Sequence, residues 1–128
     1  MNKKILEKIC LDKQSTIKDA ILCLNKSHLG FVIVTDERFR LVGTVTDADI
    51  RQGLVLNIDL DRPLFDICCR QPVYIVDGTP IEEIRRVSQR TRLRAFPVIG
   101  PDKTVIDCMF HDDIMSKLVR DPTLLIMA

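Results

Sequence analysis

The residues from Ile17 to Ile50 return 64 positions later as Ile81 to Ile114, in the same order and without a gap. Ile17 falls on Ile81, Leu29 on Leu93, Val34 on Val98, Asp49 on Asp113 and Ile50 on Ile114. A chain of 128 residues that uses one unit twice is tightly constrained. Each unit is too small to bury its own apolar face, so the two must pack on one another about a pseudo-twofold axis. The expected fold class is therefore α/β, with two β-α-β-β-α repeats packed face to face. Residues 1–60 hold an N-terminal segment and the first repeat; residues 61–121 hold a connector and the second. Such packing sets the strand-to-helix turns beside clefts between the sheets, and clefts of this kind are where ligands bind.

The local patterns agree with the repeat. Residues 1–14 read as a short helix or strand packed on the module. Ser15 is expected to cap a helix with Ile17, Ala20, Ile21 and Leu24 on one stripe. Phe31-Val-Ile-Val34 is a continuous apolar run, the mark of a strand buried on both faces. Residues 35–40 turn the chain into a strand over Leu41–Val45, and a helix follows from Thr46 to about Val55. A short helix is expected at Pro63–Cys69. The pattern then restarts with a strand over Val73–Val76 and a helix capped by Thr79, with Pro80 at its first position. Ile81, Ile84 and Val87 form that helix's apolar stripe. Ala95–Ile99 is a strand whose Pro97 suggests a sheet edge or a strand start. Thr104–Phe110 is the last strand, and a helix is expected from Asp112 to Val119.

The stretch Leu41-Val-Gly-Thr-Val-Thr-Asp-Ala-Asp-Ile-Arg51 carries the most chemistry. Gly43 leaves the strand backbone uncovered, so another group can approach closely. Thr46 stands at a helix N-cap, with Asp49 three residues on. A helix start presents unpaired N–H groups and a positive dipole end, a natural seat for phosphate. Thr46 could add a hydroxyl there, and Asp49 could accept from a ribose diol. Thr-x-x-Asp is equally a capping box that satisfies only the helix's own donors. Both readings stand at this point.

Composition narrows the function classes. The net charge is +1 and the apolar share 46%, so the chain is folded and its global balance does not suggest a polyanion binder. The basic start has no apolar run behind it and no stretch is long enough to span a bilayer, so neither a signal peptide nor a membrane segment is expected. Five cysteines without framework spacing fit free thiols in a reducing cytosol. Cys68 and Cys69, adjacent, are expected to fill core beside Leu64, Phe65 and Ile67 rather than to pair. Arg85, Arg86, Arg90, Arg92 and Arg94 cluster, but without interleaved aromatics, so a solvated helix face outweighs a nucleic-acid patch. Cys108, His111, Asp112 and Asp113 lack a partner pair at ligand spacing, so no metal is expected. No Ser, Cys or Lys has a nucleophile's context, so no catalysis and no catalytic cofactor are expected of these residues.

The segments Phe31–Asp36, Leu41–Ile50, Ala95–Ile99 and Val105–Ile114 together resemble a tandem pair of CBS domains, a Bateman module, over roughly residues 10–120. The resemblance implies a regulatory module that binds AMP, ADP or ATP and controls an attached enzyme. By that resemblance Asp49 would hold the ribose, Thr46 the phosphate, and Ser15, Ala20 and the Leu29–Phe31 segment would border the adenine. Arg94 would reach the phosphate from the other repeat, which suits a guanidinium. The second repeat departs from the pattern. Asp107 replaces Gly43 and Phe110 replaces Thr46, while Asp113 remains, so this second site is expected to be degenerate and the chain to hold at most one nucleotide. The Gly-Thr-Val-Thr-Asp-Ala-Asp-Ile-Arg run and the terminal Leu-Leu-Ile-Met-Ala resemble a subfamily that precedes a sugar-phosphate nucleotidyltransferase domain, so residues 122–128 would begin that domain. A cytoplasmic homodimer is the expected setting, and a structural dimerisation module without ligand is the alternative.

Overall fold

A computed structural model describes residues 3–91 and 93–114. The expected helix beyond Ile114, Arg92 and the apolar terminus at 124–128 lie outside the described residues. The elements are α1 (Lys3–Ile9), β1 (Cys10–Asp12), α2 (Ile17–Ser27), β2 (Phe31–Thr35), β3 (Leu41–Thr46), α3 (Asp47–Val55), β4 (Ile75–Val76), α4 (Ile81–Arg90), β5 (Ala95–Ile99) and β6 (Val105–Phe110). A single 3-10 turn at Leu64–Asp66 interrupts the connector, and residues 111–114 are helical. β1-β2-β3 form one sheet and β4-β5-β6 the other, each with a parallel and an antiparallel pair. The offset of the sequence repeat holds at the level of single residues. β2 and β3 begin and end where β5 and β6 do, and the register slips at the same place, Val34/Thr35 and Val98/Ile99.

The continuous apolar runs are explained by burial on both faces. In β2, Val32 and Val34 pack on the helices with Ile17, Ala20, Leu24 and Val45, while Phe31 and Ile33 face the other sheet. In β5, Phe96 and Val98 pack toward Ile84 and Ile114, while Ala95 and Ile99 join Phe31 and Ile33 between the sheets. That shared middle layer, with Leu6 and Ile9 from α1, is the face-to-face contact of the two repeats. Their turns also meet: Arg40 bridges Thr104, its own counterpart in the repeat, and the Val105 N–H donates to the Phe39 carbonyl at 3.0 Å. Beside this contact Asp36 accepts from the Arg38 and Arg40 N–H groups, each at 2.9 Å, and from Arg40 Nε at 2.8 Å.

Several local expectations need correction. Thr16, not Ser15, caps α2, because Thr16 exchanges bonds with Asp19 in a capping box while the Ser15 carbonyl accepts from Leu64 N–H at 2.7 Å. Pro80 rather than Thr79 stands at the α4 cap, and no side chain closes it; the Thr79 hydroxyl turns back to the Val76 carbonyl at 2.6 Å. The buried stripe of α4 is Ile84 and Ser88, with Ile81 exposed. Pro97 lies in the central strand, not at an edge. The sheet accommodates it by shortening its neighbour. β1 pairs Cys10 with Ile33, but β4 pairs only Val98 and Ile99, so no β4 residue pairs with Pro97, which has no N–H to offer. The expected strand from Val73 accordingly starts at Ile75. Cys68 is buried, as expected, but Cys69 is exposed.

Candidate functional site

The helix start at Thr46 is closed by its own side chains. The Thr46 N–H donates to Asp49 Oδ2 at 2.9 Å, the Thr46 hydroxyl donates to the same oxygen at 3.2 Å, and the Asp49 N–H reaches back to Thr46 Oγ1 at 3.5 Å. The capping box of the sequence is therefore formed, with a long third bond. Gly43 also has a structural reason. A Cβ at this position would collide with the Cys69 carbonyl oxygen, because the connector runs against the strand here. Thr44 and Cys69 exchange both backbone bonds, at 3.1 and 2.8 Å. The group that approaches the bare glycine is the chain's own backbone.

Two clefts related by the pseudo-twofold axis lie at the ends of the strand-to-helix turns. The first, about 440 Å³, is lined by Gly30, Phe31, Thr44, Thr46, Asp47, Ala48, Arg51, Val73, Leu93, Arg94 and Ala95. It joins the first turn of α3 to the segment entering β5, so both repeats build it. Two guanidiniums, Arg51 and Arg94, face one carboxylate, Asp47, leaving one net positive charge beside a helix start. The second cleft, about 470 Å³, is lined by His28, Leu29, Leu93, Arg94, Phe110, His111 and Asp112. Phe110, His111 and Asp112 stand where the first has Thr46, Asp47 and Ala48.

The structure thus brings Phe31, Thr46 and Arg94 together in one cleft. Leu29 lies across the rim in the second cleft, which also takes Arg94. Asp49 lines a separate groove with Gln52, Gly53, Leu56 and Asp66. Ala20 is sealed in the core and Ser15 sits in the α2 entry turn, so neither borders these clefts. Asp113 is exposed at the start of the last described helix, outside the second cleft's lining. Asp47, Ala48 and Arg51 were not singled out in the sequence. One, two and five residues past the cap, they share one face of α3, about 100–200° round the helix from Thr46, and that mutual spacing is the pattern that would have found them.

Phe110 has a packing role. Its ring meets Phe31 edge to face, 6.4 Å between centroids at 87°. Across the ladders Phe31 pairs with Thr46 and Ala95 with Phe110, so each pair places one aromatic beside one small residue. The bulk has changed strands between the repeats, and with it the hydroxyl has left the second turn. Asp107 folds back on the chain, accepting from the Cys108 N–H at 2.8 Å.

The CBS domain family model matches residues 1–56 and again residues 64–120. An uncharacterised protein of Rickettsia prowazekii is 25% identical over 104 residues, 81% of this chain and 32% of its own length. Arabinose 5-phosphate isomerase KdsD of Yersinia pestis is 22% identical over 106 residues, 82% of this chain and 32% of its own. This chain therefore spans about a third of the length of the curated relatives it matches. Among solved structures, the CBS domain protein PAE2072 from Pyrobaculum aerophilum, complexed with AMP, superposes with a TM-score of 0.72 at 20% identity, covering 96% of this chain and 95% of that one.

Proposed function

The chain belongs to the CBS domain family, as a tandem pair, and from that premise we propose that it is a regulatory module that binds an adenine nucleotide in the first cleft. The observation that carries this reading is the convergence of Thr46 and Arg94, from different repeats, on one net-positive cleft of about 440 Å³ at the start of α3. In this reading Arg94 and Arg51 hold the phosphates, Thr46 and the first-turn N–H groups complete their cradle, and Phe31 and Val73 border the base. Asp49, in the neighbouring groove, serves this cleft by holding the Thr46 hydroxyl in place. An AMP complex of a protein with the same fold supports the ligand class. The second cleft, with Phe110 in place of the hydroxyl, is not part of this nucleotide site.

Calorimetric titration with AMP, ADP and ATP tests the reading, on the wild type and on Arg94→Ala. Micromolar binding of at least one nucleotide, weakened about tenfold or more by the loss of one charge-assisted contact, is the expected result. A folded wild type that binds none of the three overturns it.

The module acts on a further domain of the same protein. The sequence resemblance points to a sugar-phosphate nucleotidyltransferase, and the likeness to KdsD supports sugar-phosphate chemistry of another kind, isomerisation. Assay of the full-length protein for both reactions separates them. The second reading, a dimerisation module without ligand, is favoured by the closed Thr46–Asp49 box and by exposed Leu54, Val55 and Leu56 at the end of α3. A homodimer in solution together with silent titrations would establish it.

A further inference from the structure

We propose that the groove between α3 and the connector is a binding site for a primary aliphatic ammonium group, gripped by Asp49 and Asp66 beside an apolar wall. The groove is a cavity of about 260 Å³, and it shares no lining residue with either cleft between the repeats. Its apolar lining is Gly53, Leu56, Ile58 and Ile67, and its charged lining is the two carboxylates. Gly53 is buried inside α3, where glycine is destabilising relative to alanine. Packing does not require it. A Cβ there would meet Ile67 Cγ2 at 3.5 Å and Ile58 Cδ1 at 3.8 Å, both ordinary contacts. What the missing Cβ does is leave room in the groove.

The repeat indicates the chemistry that fits this room. At the offset of 64 residues Asp49 falls on Asp113 and Gly53 on Lys117. By sequence, then, the second repeat carries a lysine four residues after the shared aspartate, the spacing at which a carboxylate and an ammonium pair along a helix. The first repeat keeps the aspartate and has no side chain at the lysine's position. The charges agree with an ammonium guest. Asp66 Oδ2 accepts from Arg62 Nε at 2.8 Å, across from an adjoining hollow. Asp49 Oδ2 accepts from the Thr46 N–H and hydroxyl, and among the described residues Asp49 has no cationic partner. Among the described residues Oδ1 of each carboxylate accepts nothing. Two carboxylates against one guanidinium leave one net negative charge, which a monocation complements. The three N–H donors of an ammonium match the two free oxygens and the Gln52 side-chain amide, while the apolar wall takes the alkyl chain.

The ammonium belongs either to a free alkylamine or to a lysine side chain of a protein segment, and the test separates them. Butylammonium and Nα-acetyl-lysine N-methylamide are titrated, each to about 50 mM at constant pH and ionic strength, into the folded chain. The Gln52 and Gly53 amide signals are followed by NMR, and for each probe both are expected to move with one dissociation constant. Gly53→Ala is expected to melt no lower than the wild type and to lose the response, since its Cβ occupies the room and favours the helix. Asp66→Asn is expected to weaken the response about tenfold or more. A lysine derivative bound about tenfold more tightly identifies a protein lysine as the guest, and one bound equally or more weakly identifies the free amine. The proposal is overturned if neither probe moves the two amides, or if a folded Gly53→Ala responds like the wild type. Should Gly53→Ala fold poorly, Asp66→Asn decides alone, and wild-type affinity in that variant overturns the proposal as well.

Discussion

Cys10 and Cys108 show what burial does to a reactive group in this molecule. Burial, with a smaller push from Cys23, raises the Cys10 thiol to about 12, and burial, with Asp107 next, raises Cys108 to about 12 as well. Burial pushes Cys23 and Cys68 upward too. An unfolded thiol titrates near about 8.5, so these two side chains stay protonated in the fold where an unfolded chain would lose the proton. The thiol form therefore favours the folded state fully below about pH 8.5, and this contribution is lost as pH rises toward 12. Since the thiolate is the nucleophile, iodoacetamide at about pH 8 should modify exposed Cys69 first and leave Cys10 and Cys108 until the chain unfolds. Peptide mass mapping over time checks the order. Early modification of Cys10 or Cys108 would mean that the inter-sheet layer is open in solution.

The two capping boxes make an internal experiment at the level of the element. Thr16–Asp19 opens α2 and Thr46–Asp49 opens α3, with the same residue types at the same spacing. A cap of this kind contributes about 1 kcal/mol. Thr16→Ala and Thr46→Ala should therefore lower stability by about 1 kcal/mol each, read from urea unfolding. Nucleotide affinity should fall only in Thr46→Ala, since Thr16 lines neither cleft. Equal affinity in both variants would leave Thr46 with a capping role alone. This pairing also marks what the sequence could convey. The doubled pattern placed β2, β3, β5 and β6 because apolar runs and turn positions are local signals. The choice of Thr16 over Ser15 was illegible, because it depends on the connector, whose Leu64 N–H claims the Ser15 carbonyl. Pro97 misled for a related reason: its tolerance is set by how far β4 extends, a fact of the partner strand. For the candidate cleft, Thr46 and Arg94 came from the family resemblance and both line it, whereas Ala20 and Asp49, named the same way, lie elsewhere, because helix rotation decides which side of a cap residue meets the cleft.

At the scale of the whole molecule, the symmetry fails at one instructive position. The counterpart of Arg94 is Gly30, at φ 81°, and a Cβ on Gly30 would lie 3.8 Å from an Arg94 guanidinium nitrogen. Where twofold symmetry would supply one side chain to each cleft, this chain supplies a single arginine that lines both. In the proposed nucleotide reading Arg94 reaches the phosphates from the other repeat, and its planar fork as well as its charge does the gripping. Arg94→Lys keeps a charge but not the fork, and should weaken AMP binding by calorimetry while leaving urea unfolding unchanged. Equal affinity in this variant would show that charge alone suffices at this position. A ligand shifts an attached domain only as far as it prefers one arrangement over another, and a cleft lined from both repeats gives a nucleotide contacts on each side of the inter-sheet layer through which such a preference can act.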